Sequence, residues 1–98
     1  MAKFHLSNRA VDDLSEIWLY TFYEWSEIQS DKYYDLLLTN CQEIANNPAL
    51  GKPYPEISNT LFGFKSGEHI ILLTEIDSGK IEIARILHGR MDLKKKFY

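Results

Sequence analysis

Two runs of apolar residues at three- and four-residue steps, separated by one short break, leave this chain few ways to fold. Val11, Leu14, Ile17, Trp18, Thr21, Phe22 and Trp25 form the first run, and Tyr33, Tyr34, Leu37, Leu38, Cys41, Ile44 and Ala45 the second. Each spacing places its apolar residues on one face of a helix. The first helix is expected to span roughly 17 residues, with Ser7 or Asn8 as its cap and Asp12 and Asp13 in its first turn against the helix dipole. Ser26 interrupts the pattern and can cap the second helix, which Asn46-Asn47-Pro48 stops. Two long amphipathic helices joined by a short turn make an antiparallel hairpin. Neither can bury its stripe alone, so a partner layer must follow.

That layer is legible on both sides of the hairpin. Lys3-Phe4-His5-Leu6 alternates as a short strand. After a loop, "NNPALGKPYPEISN", that holds all three prolines, three strand candidates appear at Leu61–Lys65, His69–Ile76 and Lys80–Leu87. Ser66-Gly67 and Asp77-Ser78-Gly79 separate them as hairpin turns. "IILLTEI" is nearly continuous in apolar residues and reads as the central strand. Strict alternation in "KIEIARIL" puts Ile81, Ile83, Arg85 and Leu87 on one face, with Glu82, Ala84 and Ile86 on the other. The expected fold is α+β, of order β-α-α-β-β-β, an antiparallel sheet packed by an N-terminal helical hairpin. One sheet face meets the helices, and the other is left as a working surface.

With 98 residues the chain is a single domain, long enough to bury one core without disulfides. Cys41, its one cysteine, is in phase with Leu37, Leu38 and Ile44 and reads as a small packed hydrophobe. Such usage fits a reducing cytoplasm. No signal peptide opens the chain, and no apolar run is long enough to span a membrane. The net charge of −3 hides an asymmetry. Residues 85–98 carry five cations against Asp92 alone, while residues 1–84 carry six cations against thirteen anions. A basic end on an acidic body points to an acidic partner, protein or nucleic acid; the plainer reading is a solvated tail.

Motifs for metal, nucleotide or nucleophilic chemistry are missing: there is no GxSxG, HExxH, CxxC, P-loop or GxGxxG. The three histidines are far apart in sequence, with no ligand spacing, so neither a metal nor another cofactor is expected. Trp18 and Trp25 read as core or hairpin packing before a platform for bases. Glu68-His69 sits at a turn, but neighbours on a strand point to opposite faces, which argues against a catalytic pair. Glu75, within the apolar strand, needs water or a partner, and Arg85 on the next strand is the candidate mate.

Five local motifs, in order along nearly the whole chain, resemble the RelE/ParE toxin superfamily and more specifically its ParE-like branch. They are "AVDDLSEIWLYT", Ser30-Asp31-Lys32-Tyr33, "NNPALGKPYPEI", Gly67-Glu68-His69-Ile70-Ile71 and "IARILHGRMDL". The resemblance implies a bacterial or archaeal type II toxin that inhibits DNA gyrase by direct binding, serves plasmid or chromosome stabilisation, and is neutralised by a cognate antitoxin. The antitoxin would wrap the toxin as a hetero-oligomer, contacting Arg85, Arg90, Trp18, Phe22 and Glu75; operator DNA would be reached only through the antitoxin. Target contact would fall to Arg90, Lys94, Lys95, Lys96, Phe97 and Tyr98, with Gly89 turning the chain off the last strand and Met91 and Leu93 packing back on the sheet. RelE-like relatives instead cut mRNA on the ribosome. For that chemistry the candidates here are Arg85, His88, Arg90 and Tyr98, whereas Leu73, Thr74 and Glu75 stand where relatives often carry an arginine. A third possibility is an inactive, antitoxin-binding relative. His88 reads as part of a turn that aims Arg90 outward.

Overall fold

In the computed structural model, which describes residues 4–77, 80–93 and 95, helix α1 (Asn8–Glu24) and helix α2 (Glu27–Asn46) form the expected hairpin. Ser7 caps α1 by accepting the Ala10 N–H at 3.0 Å, and Ser26 caps α2 by accepting the Gln29 N–H at 3.1 Å. The helices are tied together where they diverge from the turn: Ser30 Oγ donates to the Trp18 carbonyl at 3.1 Å, and the Trp18 indole N–H donates to Asp31 at 3.1 Å. Asp13 is the sixth residue of α1, beyond its first turn, which carries no acidic residue. Its role is therefore not the expected one with the dipole.

Five strands follow the order β1-β5-β4-β3-β2. They are β1 (Phe4–Leu6), β2 (Lys52–Pro53), β3 (Leu61–Ser66), β4 (His69–Asp77) and β5 (Lys80–His88). The strands β2 to β5 pair antiparallel, with β4 in the centre as its apolar run implies. The N-terminal strand joins β5 in parallel, so the sheet is mixed. The helical hairpin is the crossover that a parallel neighbour requires. The short β2 lies inside the proline-rich loop, where Pro53 costs nothing because it sits on the sheet's edge.

The main core lies between helices and sheet. Leu14, Leu37, Cys41 and Ile44 meet Ile71, Leu73, Ile83 and Ile86, all 2% exposed or less. Burying an aliphatic side chain of this kind contributes about 1.5–3 kcal/mol. Burial pushes the Cys41 thiol up to about 12, so it stays protonated and packs as the expected hydrophobe.

Two irregularities correct the alternation expected for the last strand. Leu72 pairs with Arg85 but Leu73 pairs with Ile83, which leaves Ala84 as an extra residue on β5. Glu75 pairs with Ile81 and Asp77 with Lys80, which leaves Ile76 extra on β4. The bulge at Ala84 shifts the phase, so Ile81, Ile83 and Ile86 all enter the helix-facing core, while Leu87 goes to the opposite side.

That opposite face is not left bare. Ile57, Leu61, Leu72 and Leu87 form a second cluster there, joined by Tyr54, Ile70, Ala84 and Leu93. The proline-rich loop has folded over it, because Leu72 and Leu87 would otherwise leave apolar surface in water. Leu93 packs back as expected, but Met91 remains 43% exposed. The loop is seated on Gly63, where a Cβ would lie 2.3 Å from the Tyr54 ring. Gly63→Ala is expected to lower stability by about 1–2 kcal/mol through this overpacking. The fall would be read in the urea midpoint, and most of it should vanish in a Tyr54→Ala background.

Candidate functional site

The parallel strand β1 is short, and this decides how the site is built. It covers β5 only from Ile81 to Ile83. Beyond that point β5 has edge groups that need other partners. Helix α1 supplies them. Ser7 donates its backbone N–H to the Ile83 carbonyl at 3.0 Å and its hydroxyl to the Ala84 carbonyl at 2.6 Å. Asp13 accepts the Ile86 N–H at 2.9 Å. The same carboxylate takes the Arg85 guanidinium in a fork, Nε to Oδ2 and NH2 to Oδ1, both at 2.8 Å. The side chains are 15% and 9% exposed, and the Asp13 hydrogen bond raises the Arg85 pKa further. Arg85 is thus held by Asp13. The ladder does not set Glu75 opposite Arg85 as expected: Leu72 faces Arg85, and Ile81 faces Glu75. Glu75 is exposed near the far end of β4.

At the other end of the ladder, His69 opens β4 and His88 closes β5 as direct partners. Their rings meet edge to face with centroids 5.2 Å apart. Tyr33 of α2 joins them: its hydroxyl lies 2.6 Å from His69 Nδ1 and accepts the Glu68 N–H at 2.9 Å. The turn permits this approach because Gly67, at φ 57°, has no Cβ; one would lie 2.6 Å from the Tyr33 ring. Burial, with His88 adding to it, lowers the His69 pKa to about 4, against the opposing pull of Glu68 and Asp13. Burial also raises the Tyr33 pKa. At neutral pH both groups are therefore uncharged; the Tyr33 hydroxyl is 2.6 Å from Nδ1 and 3.5 Å from the Ser66 carbonyl, and the shorter contact favours donation to an unprotonated Nδ1. On the neighbouring ring, His88 Nδ1 accepts the Arg90 N–H at 3.1 Å, while Gly89 donates to the Glu68 carbonyl at 2.9 Å. His88 thereby organises the turn that leads to exposed Arg90.

These residues open on one groove of about 1210 Å³ between the helical hairpin and the end of the sheet. Ile17, Tyr20, Trp25, Leu36 and Met91 give it apolar walls; Lys32 and Arg90 bring positive charge, and Glu16 and Glu68 negative. Tyr20 and Trp25 are 67% and 74% exposed, so the aromatic wall is largely open, and Trp25 is not the core residue expected of it. Trp18 and Phe22 stack at 5.3 Å on α1 but do not line the groove. Lys95 is exposed, with its backbone N–H donating to Asp92 at 3.4 Å. Lys94, Lys96, Phe97 and Tyr98 lie outside the described residues.

Of the candidates named from sequence, Arg85, His88 and Arg90 come together here. Asp13, Tyr33 and His69 were missed. One signal for His69 was available: counting outward from the Asp77–Lys80 pair matches residue 69 with residue 88, since the two bulges lie on opposite strands and cancel. The company of His69 is Tyr33 and His88 rather than the adjacent Glu68 side chain. Among the described residues no group of three or more His, Cys, Asp or Glu side chains could hold a metal ion, and no helix is long and apolar enough to cross a membrane.

Comparison with known proteins identifies what this arrangement belongs to. The family model described as ParE toxin of type II toxin-antitoxin system, parDE, matches residues 4–93. Toxin ParE1 of Mycobacterium tuberculosis is 30% identical over 94 residues, covering 96% of both chains. Toxin ParE1 of Caulobacter vibrioides is also 30% identical over 94 residues, with the same coverage. Among solved structures, the chromosomal ParDE toxin–antitoxin system from P. aeruginosa superposes with a TM-score of 0.76 at 13% identity, over 90% of this chain and 96% of that one. The RelBE2 toxin–antitoxin complex of Mycobacterium tuberculosis follows at 0.57 and 16%, over 89% and 96%. At such identities the two structures speak for the fold alone.

Two outcomes are expected of the site's energetics. Asp13→Ala removes the acceptor of both the Arg85 fork and the Ile86 N–H, and should cost about 3–5 kcal/mol in denaturant unfolding. The His69 pKa of about 4 lies below its ordinary 6.5, so the unfolded chain binds this proton more readily. Its contribution is intact above the unfolded value and is lost as pH falls through the folded one. Stability should therefore decline on acidification across that window, and the urea midpoint of His69→Gln should decline less steeply than that of the parent.

Proposed function

The chain belongs to the ParE toxin family of type II toxin–antitoxin systems, and from that premise we propose that it inhibits DNA gyrase by direct binding and is neutralised by a cognate antitoxin laid in the groove. The observation that carries a binding mode of action is the state of the cations. Metal-free RNA cleavage needs a base, an acid and a cation free to meet the phosphate. Arg85, the cation set deepest in the ladder, is instead held by the fork from Asp13. Of the other ribonuclease candidates, His88 Nδ1 is taken by the turn to Arg90. The last fourteen residues of the sequence carry five cations against one anion, with Arg90 and Lys95 exposed, which suits a surface contact with an acidic target.

Target contact is assigned to Arg90, Lys94, Lys95, Lys96, Phe97 and Tyr98, and the antitoxin to the groove beside them. Its aromatic walls suit a helix or extended segment that orders on binding. Arg90 lines that groove and is the residue both partners would share. Trp18, Phe22 and Glu75 stand apart from the groove walls, so an antitoxin reaching them would have to wrap beyond it. Action on gyrase places the protein in the cytoplasm as a hetero-oligomer with its antitoxin, with operator DNA contacted by the antitoxin.

The test combines two assays on the purified full chain. With gyrase and supercoiled plasmid it should yield linear DNA, and joint replacement of Lys94, Lys95 and Lys96 by Glu should lower that yield by roughly tenfold. In a translating extract it should leave mRNA intact. No linear DNA at large toxin excess rules the gyrase reading out. Cleavage of mRNA that is lost in His88→Ala would install the ribonuclease reading in its place. A chain inert in both assays, and harmless when expressed without its antitoxin, is an antitoxin-binding relative.

A further inference from the structure

The histidine pair at the ladder end has a use that neither the fold nor the reading above requires. Both Nδ1 atoms are occupied: that of His69 by the Tyr33 hydroxyl at 2.6 Å, and that of His88 by the Arg90 N–H at 3.1 Å. Each is an acceptor in its bond, so each neutral ring carries its proton on Nε2. Among the described residues neither Nε2 has a hydrogen-bond partner, yet no buried side-chain nitrogen lacks one, so both atoms are open to solvent. Both residues line the groove, and the rings are 5.2 Å apart. Two neighbouring imidazoles, each with its Nδ1 engaged inside the fold, thus line the same groove as Arg90.

We propose that His69, His88 and Arg90 form a carboxylate-binding notch that receives one acidic side chain of a peptide segment lying in the groove. The proposal rests on the reading that a partner segment occupies the groove, and adds the chemistry that anchors it. A carboxylate has two oxygens and accepts without donating, which matches paired imidazole N–H groups and a guanidinium. Charge decides between a peptide and a nucleic acid. Glu68, Asp13 and Glu16 face the same space as Lys32, Arg85 and Arg90, and Asp13 and Arg85 are spent on each other. Such a surface tolerates one anion but offers no basic track for a chain of phosphates. The neighbouring walls, Tyr20, Trp25 and Met91, are exposed and apolar, so the residues flanking the acid should be apolar too. An exposed aromatic beside a charge-matched notch is the usual anatomy of a peptide anchor.

The notch is tested on the full chain by imidazole NMR at neutral pH, with acetate as the first probe. Saturable shifts of His69 and His88 together are expected, with no shift of His5, whose side chain is 69% exposed on β1 beside Glu82, toward the opposite end of β5 from His88. The second probe is an acetylated Trp-Leu-Glu-Leu peptide and its Gln counterpart. The Glu peptide should bind at least tenfold more tightly, and His69→Gln or His88→Gln should abolish that preference. Absence of an acetate shift, or equal affinity for the two peptides, overturns the proposal. So does a single-stranded oligoribonucleotide that displaces the Glu peptide, since it would put phosphodiester in the notch. Antitoxin binding that is unchanged in both histidine variants overturns the notch and leaves the partner reading standing. A parent chain that binds acetate and the Glu peptide but is not neutralised by the antitoxin keeps the notch and sinks that reading.

Discussion

One carboxylate holds the two layers of this protein in register. Asp13 takes the Arg85 fork and the Ile86 N–H at once, so a single residue of α1 satisfies a charge and an edge amide of β5. The need for it arises from the shortness of β1, which leaves the rest of that edge without a strand. The Ala84 bulge makes it possible, because the phase shift lets Arg85 reach helix α1 while Ile83 and Ile86 stay in the core. A buried pair of this kind is weak evidence for stability in itself, since desolvation offsets much of the attraction. Its value is positional: it sets where the helical hairpin crosses the sheet, and hence the width of the groove between them.

That groove collects groups from the helical hairpin and from the end of the β4–β5 ladder. Tyr33 comes from α2, His69 and His88 from one end of the β4–β5 ladder, and Trp25 from the helix turn. The result is polar at its floor but carries little charge of its own, because burial keeps His69 neutral and Asp13 holds Arg85.

Much of the fold was legible without coordinates because it depends on periodicity. The helical hairpin, its serine caps, the central place of β4 and the burial of Cys41 all follow from spacing and local capping chemistry. Family membership was legible too, since five motifs in order carry more information than any one of them. Legibility failed where a single residue changes the phase. Strict alternation gave the wrong face for Ile86 and the wrong partner for Arg85, because nothing local marks Ala84 as the extra residue of a bulge. The proline-rich loop read as a connector, whereas it covers the second sheet face with Tyr54 and Ile57.

The amino-acid sequence alone therefore determined the elements, their order and the family, which depend on neighbours within a few positions. The tertiary structure decided who meets whom: the parallel docking of β1, the capture of Arg85 by Asp13, and the meeting of Tyr33 with His69 and His88. The physical reason is range. Helix and turn signals act over three or four residues, while Asp13 and Arg85 are 72 residues apart and find each other only after bulge, strand pairing and helix packing have each taken their place.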